Sequence, residues 1–236
     1  MKTLVLDTGP IISLSLNNLL WLFKPLKERF GGNFLISPAV KEEVIDKPLY
    51  SKRFKFEAFQ VLELINSGVI EVYLDKEIEQ FGNLLMDIAN DIYFAKKSPI
   101  KIVHNGEMQS IALAIIKKAD AIAIDERTTR LLVENPKKLQ YLLSDKLHTS
   151  IYIDEEKLKM FSGYAKKIHI LRSVELVTVA YELGLMNRFV RGMSEIKLPN
   201  AKEELLDSLL WGLKLAGCTI QEKEILCVKK IESKRF

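Results

Sequence analysis

Residues 1–14 of the chain read MKTLVLDTGPIISL. The apolar run in KTLVL predicts a short buried strand that ends at Asp7, and the apolar residues after Pro10 recur with the period of a helix. An acid at the point where a buried strand ends has two explanations. Asp7 or Thr8 can cap the helix that follows, or Asp7 can belong to a site at the end of a sheet. Acids in equivalent places elsewhere in the chain would favour the second explanation.

Strand-like and helix-like segments alternate through the first half of the chain. After the first strand, the predicted strands are NFLI (33–36), VIEVYL (69–74) and ADAIAI (119–124). The predicted helices are 11–26, PAVKEEVI with Pro38 in its first turn, FKFEAFQVLELINSG closing at Gly68, 75–96, and NGEMQSIALAIIKKA, with KKSPIK (96–101) as a loop. Repeated strand–helix units predict a parallel sheet with helices on both faces, so the fold class is α/β.

The second half of the chain is less regular. Strands are predicted at SIYI (150–153) and IHIL (168–171), and helices near 172–184, 186–194 and 200–216, followed by a basic tail. The run NPKKLQ (135–140) breaks the pattern. It divides the prediction into a core over 1–135, a helical insert over 136–167 and a mostly helical C-terminal part over 168–236 that completes the fold.

Composition restricts the class of protein. The chain has 236 residues, of which 48% are apolar, enough for a substantial core. No run approaches the roughly 20 apolar residues of a membrane span, and the N-terminal run reaches an acid too early for a signal peptide. The two cysteines, Cys218 and Cys227, form neither a disulfide framework nor a zinc motif. We therefore expect a soluble, cytoplasmic protein, whose net charge of +4 is compatible with a polyanionic partner.

Acids recur at places that the predicted sheet would bring together. Asp7 ends the first strand, Glu43 lies in the helix after NFLI, Glu107 lies in the first turn of NGEMQSIALA, and Asp125 and Glu126 follow ADAIAI. Parallel strands deliver their carboxyl ends to one edge of the sheet, where ligands bind. The sequence therefore predicts that four or five carboxylates converge on one cleft.

Such a cluster implies either protonation of the carboxylates or a bound cation. Carboxylates a few ångströms apart raise one another's pKa, so they remain together only if they are protonated or neutralised. Oxygen ligands suit Mg²⁺ or Mn²⁺, and these ions can activate water for phosphodiester hydrolysis. Taken singly, each acid also has a structural explanation as a helix cap, a solvated surface charge or a favourable charge at a helix N-terminus. Their joint placement favours the site.

These segments together resemble the PIN domain, a family of metal-dependent nucleases. LVLDTGPIISL resembles the first motif of that family, and ISPAVKEEV resembles the second, with Glu43 before an apolar residue. NGEMQSIALA resembles the Gly-Glu form of the third motif, with Glu107 in the acid position and Gln109 where that form has a second Glu. AIAIDERTTRLL resembles the fourth. SVELVTVAYELGL and LLDSLLWGLKLAGCTIQEKEI resemble the closing segments of one prokaryotic branch.

The resemblance implies an α/β/α sandwich with a central parallel sheet. It also implies an endoribonuclease that cleaves mainly single-stranded RNA with Mg²⁺ or Mn²⁺, through Asp7, Glu43, Glu107 and Asp125 as metal-binding acids. Glu126 is a second candidate for the fourth position. Many members of the family are toxins that a small antitoxin protein inhibits and that are often dimeric, and others process ribosomal RNA. RNA, a small protein inhibitor and a second copy of the chain are therefore the expected partners, and no membrane is.

Basic residues near the predicted edge are candidate phosphate contacts. Arg127 and Arg130 lie on one face of the helix after the fourth motif, and Lys41 flanks Glu43. The run SKRFK (51–55) adds positive charge beside Phe54 and Phe56, which can stack unpaired bases but are expected to face the core.

Two points stay open from the residues alone. Thr8, or Ser13 further along the same helix, can steady Asp7 through a hydroxyl hydrogen bond, although polarity at a helix start explains both equally well. The rival function is a PIN fold that has lost cleavage and binds RNA or protein as an assembly module. Against that rival, all four acid positions are filled. No P-loop or dinucleotide-binding glycine motif is present.

Overall fold

A five-stranded parallel sheet forms the centre of the protein, in a computed structural model that describes residues 2–190 and 200–233. Its strands are β1 (Lys2–Leu6), β2 (Gly32–Ile36), β3 (Glu71–Val72), β6 (Ala121–Ala123) and β8 (Ile170–Leu171), in the order β3-β2-β1-β6-β8. Leu4 of β1 is paired with Phe34 of β2 on one side and with Ala121 of β6 on the other. The first strand is therefore central, and its carboxyl end lies between those of β2 and β6.

Helices precede or follow most of these strands. In the first half they are α1 (Thr8–Leu16), α2 (Phe23–Phe30), α3 (Pro38–Lys41), α4 (Lys47–Leu49), α5 (Lys55–Asn66), α6 (Lys76–Asn90) and α7 (Asn105–Ile116). In the second half they are α8 (Arg127–Glu134), α9 (Pro136–Leu147), α10 (Glu155–Ala165), α11 (Ser173–Glu182), α12 (Ala201–Leu215) and α13 (Glu222–Glu232). A π-helical segment, Glu42–Asp46, joins α3 to α4.

The sheet separates two hydrophobic cores. Successive residues of a strand point to opposite faces, and accordingly Leu4 and Leu6 belong to one core and Val5 to the other. Apolar residues of α1, α2, α5 and the C-terminal helices α11 to α13 form the first core. Those of α6, α7, α8, α9 and α10 form the second. This arrangement is the α/β/α sandwich that the sequence predicts.

Residues 136–167 are built onto the second core through a small antiparallel sheet. Strand β4 (Tyr93–Ala95) pairs with β5 (Ser98–Pro99) and with β7 (Ile151–Ile153) of the insert. The insert is thus two helices around one strand. The C-terminal part contributes β8, which pairs in parallel with β6 at the edge of the central sheet.

Three local predictions were wrong. The helix predicted over 11–26 is divided, because Asn18 adopts a left-handed conformation (φ 55°) and a 3₁₀ turn follows before α2. The helix predicted over 75–96 ends at Asn90, because the aromatic run after it forms β4. The loop predicted at 96–101 is a hairpin whose turn holds Lys96 and Lys97 at positive φ.

Other predictions lie partly outside the described residues. The helix predicted near 186–194 begins as a 3₁₀ turn at Asn187–Phe189, and residues 191–194 are not described, nor are residues 234–236 of the basic tail. The pattern break at NPKKLQ is a helix boundary, where Asn135 caps α9 by accepting a hydrogen bond from the amide of Lys138. In the described part of the chain, no helix has the length and apolar character that a membrane span requires.

Candidate active site

Asp7 lies at the carboxyl end of the central strand and is almost completely buried, with 3% of its surface exposed. Its backbone amide donates to the carbonyl of Ala123, which holds it beside the end of β6. Its side chain does not cap α1. Instead, Oδ1 accepts a hydrogen bond of 3.0 Å from the hydroxyl of Ser110, on α7. The capping explanation for Asp7 therefore does not apply.

Glu43 reaches the same place from the π-helical segment. The extra residue of a π turn changes the direction of the side chains, and such turns are frequent at functional sites. Glu43 Oε2 accepts a hydrogen bond of 2.6 Å from the hydroxyl of Thr8, at the start of α1. Its Oε1 lies 2.8 Å from the point where a Cβ on Gly106 would stand. The glycine of the third motif thus provides the space into which Glu43 fits.

Glu107 follows that glycine in the first turn of α7. Its Oε2 accepts a hydrogen bond of 3.0 Å from the backbone amide of His104, so it satisfies a free donor at the helix N-terminus. His104 itself is exposed and lies just before the helix. The helix-start role that the sequence suggested for Glu107 is present, together with a position close to the other two acids.

The three acids influence one another electrostatically. Burial, then the charges of Glu107 and Glu43, raise the pKa of Asp7 to about 7, and the hydrogen bond from Ser110 partly opposes this. Burial also raises the pKa of Glu107, Glu43 adds to the rise, and the contacts with His104 oppose it. In the described part of the chain, none of the three carboxylates has a lysine or arginine ion-pair partner.

Asp125 ends the neighbouring strand but is held in a different network. Its Oδ2 accepts a hydrogen bond of 2.7 Å from the hydroxyl of Ser13, and its Oδ1 accepts one of 2.7 Å from the backbone amide of Ser173. It is 2% exposed. Burial, and then the neighbouring Asp125, raise the pKa of the Cys218 thiol to about 12. The side chain of Asp125 therefore connects the end of β6 to α1 and to the C-terminal part.

Glu126, the alternative for the fourth position, caps α8. Its Oε2 accepts a hydrogen bond of 2.6 Å from the amide of Thr129, and the residue is partly exposed. One carboxylate oxygen of Glu126 therefore accepts a hydrogen bond. In Asp125, both carboxylate oxygens do so. The structure places Asp7, Glu43 and Glu107 together and gives the fourth-motif acids separate local roles.

The candidate phosphate contacts differ in whether an ion pair or a hydrogen bond already occupies their charged groups. Lys41 forms an ion pair of 2.7 Å with Asp46, which occupies its ammonium group. Arg130 is 14% exposed and lies 3.8 Å from Glu134, and its Nη1 has no hydrogen-bond partner. Arg127 is partly exposed at the first position of α8. Of these three residues, Arg127 is the one that no hydrogen bond or ion pair holds among the described residues.

The two hydroxyls of α1 that were candidates to steady Asp7 bind other acids. The Thr8 hydroxyl donates to Glu43, and the Ser13 hydroxyl donates to Asp125. The hydroxyl that binds Asp7 belongs to Ser110, which sequence reasoning missed. The signal was available, since Ser110 follows Glu107 by three residues and so lies on the same helix face.

Gln109 was the second residue that sequence reasoning left without a role. It is 4% exposed, and its Oε1 accepts a hydrogen bond of 3.1 Å from the amide of Ala39 at the start of α3. Its Nε2 donates to the side chain of Asn105. A neutral amide can both accept and donate in this buried position, whereas a glutamate could only accept and would bury a further charge. Gln109 therefore fixes the helix that leads to Glu43.

The acid cluster suits a hard divalent cation in one specific mode. Among the described residues, no three His, Cys, Asp or Glu side chains form a group that could hold a metal by themselves. Mg²⁺, however, is usually bound through one or two carboxylates together with waters and substrate phosphates. Mutually repelling carboxylates without basic partners fit that mode. The pKa values of Asp7 and Glu107 are raised first by burial and further by the charges of the neighbouring acids.

The chain was compared with known proteins at three levels. A protein-family model described as a PIN domain matches residues 3–137, which is more than half of the chain. No curated protein and no solved structure gives a significant match. The matched region contains all the acids described above. PIN domains are generally nucleases and typically use divalent metals. The parallel sheet, its flanking helices and the family match together show that this chain belongs to the PIN-domain family.

Proposed function

We propose that the protein is a divalent-metal-dependent endoribonuclease that hydrolyses single-stranded RNA at the cleft around Asp7, Glu43 and Glu107. The observation that carries the proposal is the burial of Asp7 beside two further acids, which raises its pKa to about 7. Burying a carboxylate without a cationic partner costs stability. A bound cation would offset that cost by neutralising the carboxylates.

The residues of this site have different proposed roles. Asp7 and Glu107 would hold Mg²⁺ or Mn²⁺, and the chemistry that such a cation supplies is activation of water and stabilisation of the leaving oxygen. Glu43, fixed by Thr8 and by the space at Gly106, would orient a water or a further ligand beside them. Ser110 keeps Asp7 in one rotamer by its hydrogen bond. Hydrolysis adds one water across a phosphodiester P–O bond.

The experiment is a cleavage assay on single-stranded and duplex RNA and DNA with Mg²⁺, with Mn²⁺ and with EDTA. Wild type is compared with Asp7→Asn and Glu107→Gln, which keep the size of each side chain and remove its charge. We expect metal-dependent cutting of single-stranded RNA, reduced at least about a hundredfold in either variant, because transition-state stabilisation of several kcal/mol is lost.

Exposed acids elsewhere provide the matched control. Glu42 is exposed and adjacent to Glu43 in the chain, and Glu42→Gln should cut RNA at the wild-type rate. If the folded wild type cuts nothing in either metal, the proposal is wrong and the binding-module function is favoured. If Asp7→Asn and Glu107→Gln cut as fast as wild type, the protein cuts RNA at a different site.

The fourth acid is assigned by the same assay. Asp125→Asn and Glu126→Gln remove the charge at the two candidate positions in turn. The variant that loses cleavage while keeping its melting temperature identifies the acid that acts in the cleft, because a purely structural role would lower stability instead.

A further inference from the structure

We infer that the segment from Tyr50 to Phe59 is a stacking surface for unpaired nucleotides of the strand that the acid cluster cuts. The segment reads YSKRFKFEAF and connects α4 to the first turns of α5. The inference rests on the proposed function, because it supplies the substrate-binding surface of that site.

Large aromatic side chains in this segment face solvent. Tyr50 is 95% exposed, Phe56 is 71% exposed and Phe59 is 53% exposed. Phe56 was expected in the core, and that expectation was wrong. The buried face of α5 is formed by different residues, Ala58, Val61 and Leu64. Phe56 and Phe59 are three residues apart, so they lie side by side on the outer face of the helix.

Positive charge accompanies the aromatic rings. Lys52, Arg53 and Lys55 are all exposed, and none of them has an acidic ion-pair partner among the described residues. The Arg53 guanidinium carbon lies 4.5 Å from the centroid of the Phe54 ring, in cation–π contact. In contrast, the nearby Lys41 and Lys47 are paired with Asp46 and Glu42. The uncompensated cations are therefore concentrated where the aromatic rings are exposed.

The segment borders one member of the acid cluster, Glu43, through Phe54. Phe54 and Glu43 border the same crevice between α1, the π-helical segment and α5, together with Leu16, which is 47% exposed. A strand passing over this crevice would meet Phe54 on one side and Glu43 on the other. The surface would hold nucleotides adjacent to the bond that is cut.

Charge complementarity selects the occupant. Exposed aromatic rings alone mark an interaction surface without naming the partner. Rings interleaved with unpaired cations match single-stranded nucleic acid, which presents flat bases and a phosphate at each residue, and sequence-tolerant stacking of this kind is the common means of binding it. A duplex offers the phosphates but no exposed base faces, so the surface distinguishes the two forms.

The test measures binding of a fluorescently labelled 12-nucleotide RNA, its DNA equivalent and the RNA duplex by anisotropy in EDTA, so that cutting plays no part. The variants are Phe56→Ala, Phe59→Ala and the double variant, with Tyr141→Ala as matched control. Tyr141 is a 75% exposed aromatic residue of the insert. The mutated side chains are exposed, and circular dichroism and thermal melts confirm that each variant folds.

We expect each phenylalanine variant to bind the single strands about tenfold more weakly and the double variant about a hundredfold, with duplex binding unchanged, since one stacking contact contributes on this scale. Tyr141→Ala should bind as wild type does. Arg53→Gln should reduce the slope of log affinity against log salt by roughly 0.7, the value for one phosphate contact on a single strand.

Equal binding by wild type and the double variant would overturn the inference. So would a loss of self-association in the double variant, measured by sedimentation, without a loss of RNA binding, because the surface would then contact a second copy of the chain. If the wild type cuts RNA but the phenylalanine variants bind normally, only this inference fails. If binding weakens as expected but nothing is cut, the inference holds and the nuclease proposal fails.

Discussion

Asp7 and Asp125 follow adjacent, hydrogen-bonded strands and are equally buried. They differ in the hydrogen bonds and the neighbouring charges that surround their carboxylates. Both carboxylate oxygens of Asp125 accept hydrogen bonds, from Ser13 and from the amide of Ser173. Asp7 accepts hydrogen bonds from the Ser110 hydroxyl and from the backbone of Thr8, but it also has two acids beside it. Hydrogen bonds donated to a carboxylate favour its charged form, whereas neighbouring acids disfavour that form. The comparison separates an aspartate whose hydrogen bonds tie distant elements together from one whose charge is opposed by burial and by its neighbours.

The largest effect that tests this comparison is the pH dependence of stability. The pKa of Asp7 is raised to about 7 in the folded protein, so the unfolded chain loses this proton near pH 4 and the folded protein keeps it until about pH 7. The folded state is therefore progressively disfavoured as pH rises through that window. By linkage the cost reaches up to about 4 kcal/mol above pH 7, as an order of magnitude.

Asp7→Asn removes that titration, because asparagine is neutral at every pH of interest. The variant should be about as stable as wild type near pH 4 and more stable by a few kcal/mol near pH 8, measured as urea unfolding of both proteins in EDTA. Mn²⁺ should stabilise wild type at pH 8 and leave the variant unaffected. If the stability difference between the two proteins is constant from pH 4 to pH 8, the account of Asp7 is wrong.

The next effect is the loss of stability expected for Asp125→Asn. The substitution replaces one accepting oxygen by an NH₂ group that faces the Ser13 hydroxyl or the Ser173 amide, both of which donate. The mismatch in a buried site should lower the free energy of unfolding by about 1–3 kcal/mol. Urea unfolding at pH 7 measures it. An unchanged free energy of unfolding, together with lost cleavage, would place Asp125 with Asp7 in the catalytic cluster.

The same contrast explains which parts of the molecule the sequence could predict. Asp7, Glu43 and Glu107 each follow a local pattern: a strand end, a helix after a strand, a Gly-Glu pair at a helix start. Parallel topology then brings them together. The alternation of strands and helices predicted the central sheet in the same way, and the family match agrees with it.

The environment of Asp125 depends on contacts between residues far apart in the chain. Its partners Ser13 and Ser173 lie 112 and 48 residues away, and nothing in the local sequence of AIAIDER indicates either of them. The outward orientation of Phe56 is a related case, because helix periodicity gives the two faces of α5 without showing which one packs on the neighbouring helices. The division of the chain at 135 and 167 stays a prediction for the same reason, since β7 and β8 join sheets whose other strands come from the core.

A pair of glycine substitutions gives the smallest and most selective test. A Cβ on Gly106 would stand 2.8 Å from Glu43 Oε1, the end of a side chain that can move, whereas a Cβ on Gly9 would stand 3.1 Å from the Cβ of Asp125, which is fixed. Gly106→Ala should therefore displace Glu43 and lower cleavage by about tenfold. It should leave stability equal or slightly higher, because alanine favours the helix by about 1 kcal/mol.

Gly9→Ala should do the reverse. Its new methyl group presses on the aspartate that ties β6 to α1, so the melting temperature should fall while the cleavage rate at low temperature stays close to wild type. Both variants are measured by thermal melts and by the RNA cleavage assay with Mn²⁺. If Gly106→Ala lowers stability and Gly9→Ala lowers cleavage, the roles of the two strand ends are exchanged, and the catalytic cation belongs at the end of β6 rather than at the end of β1.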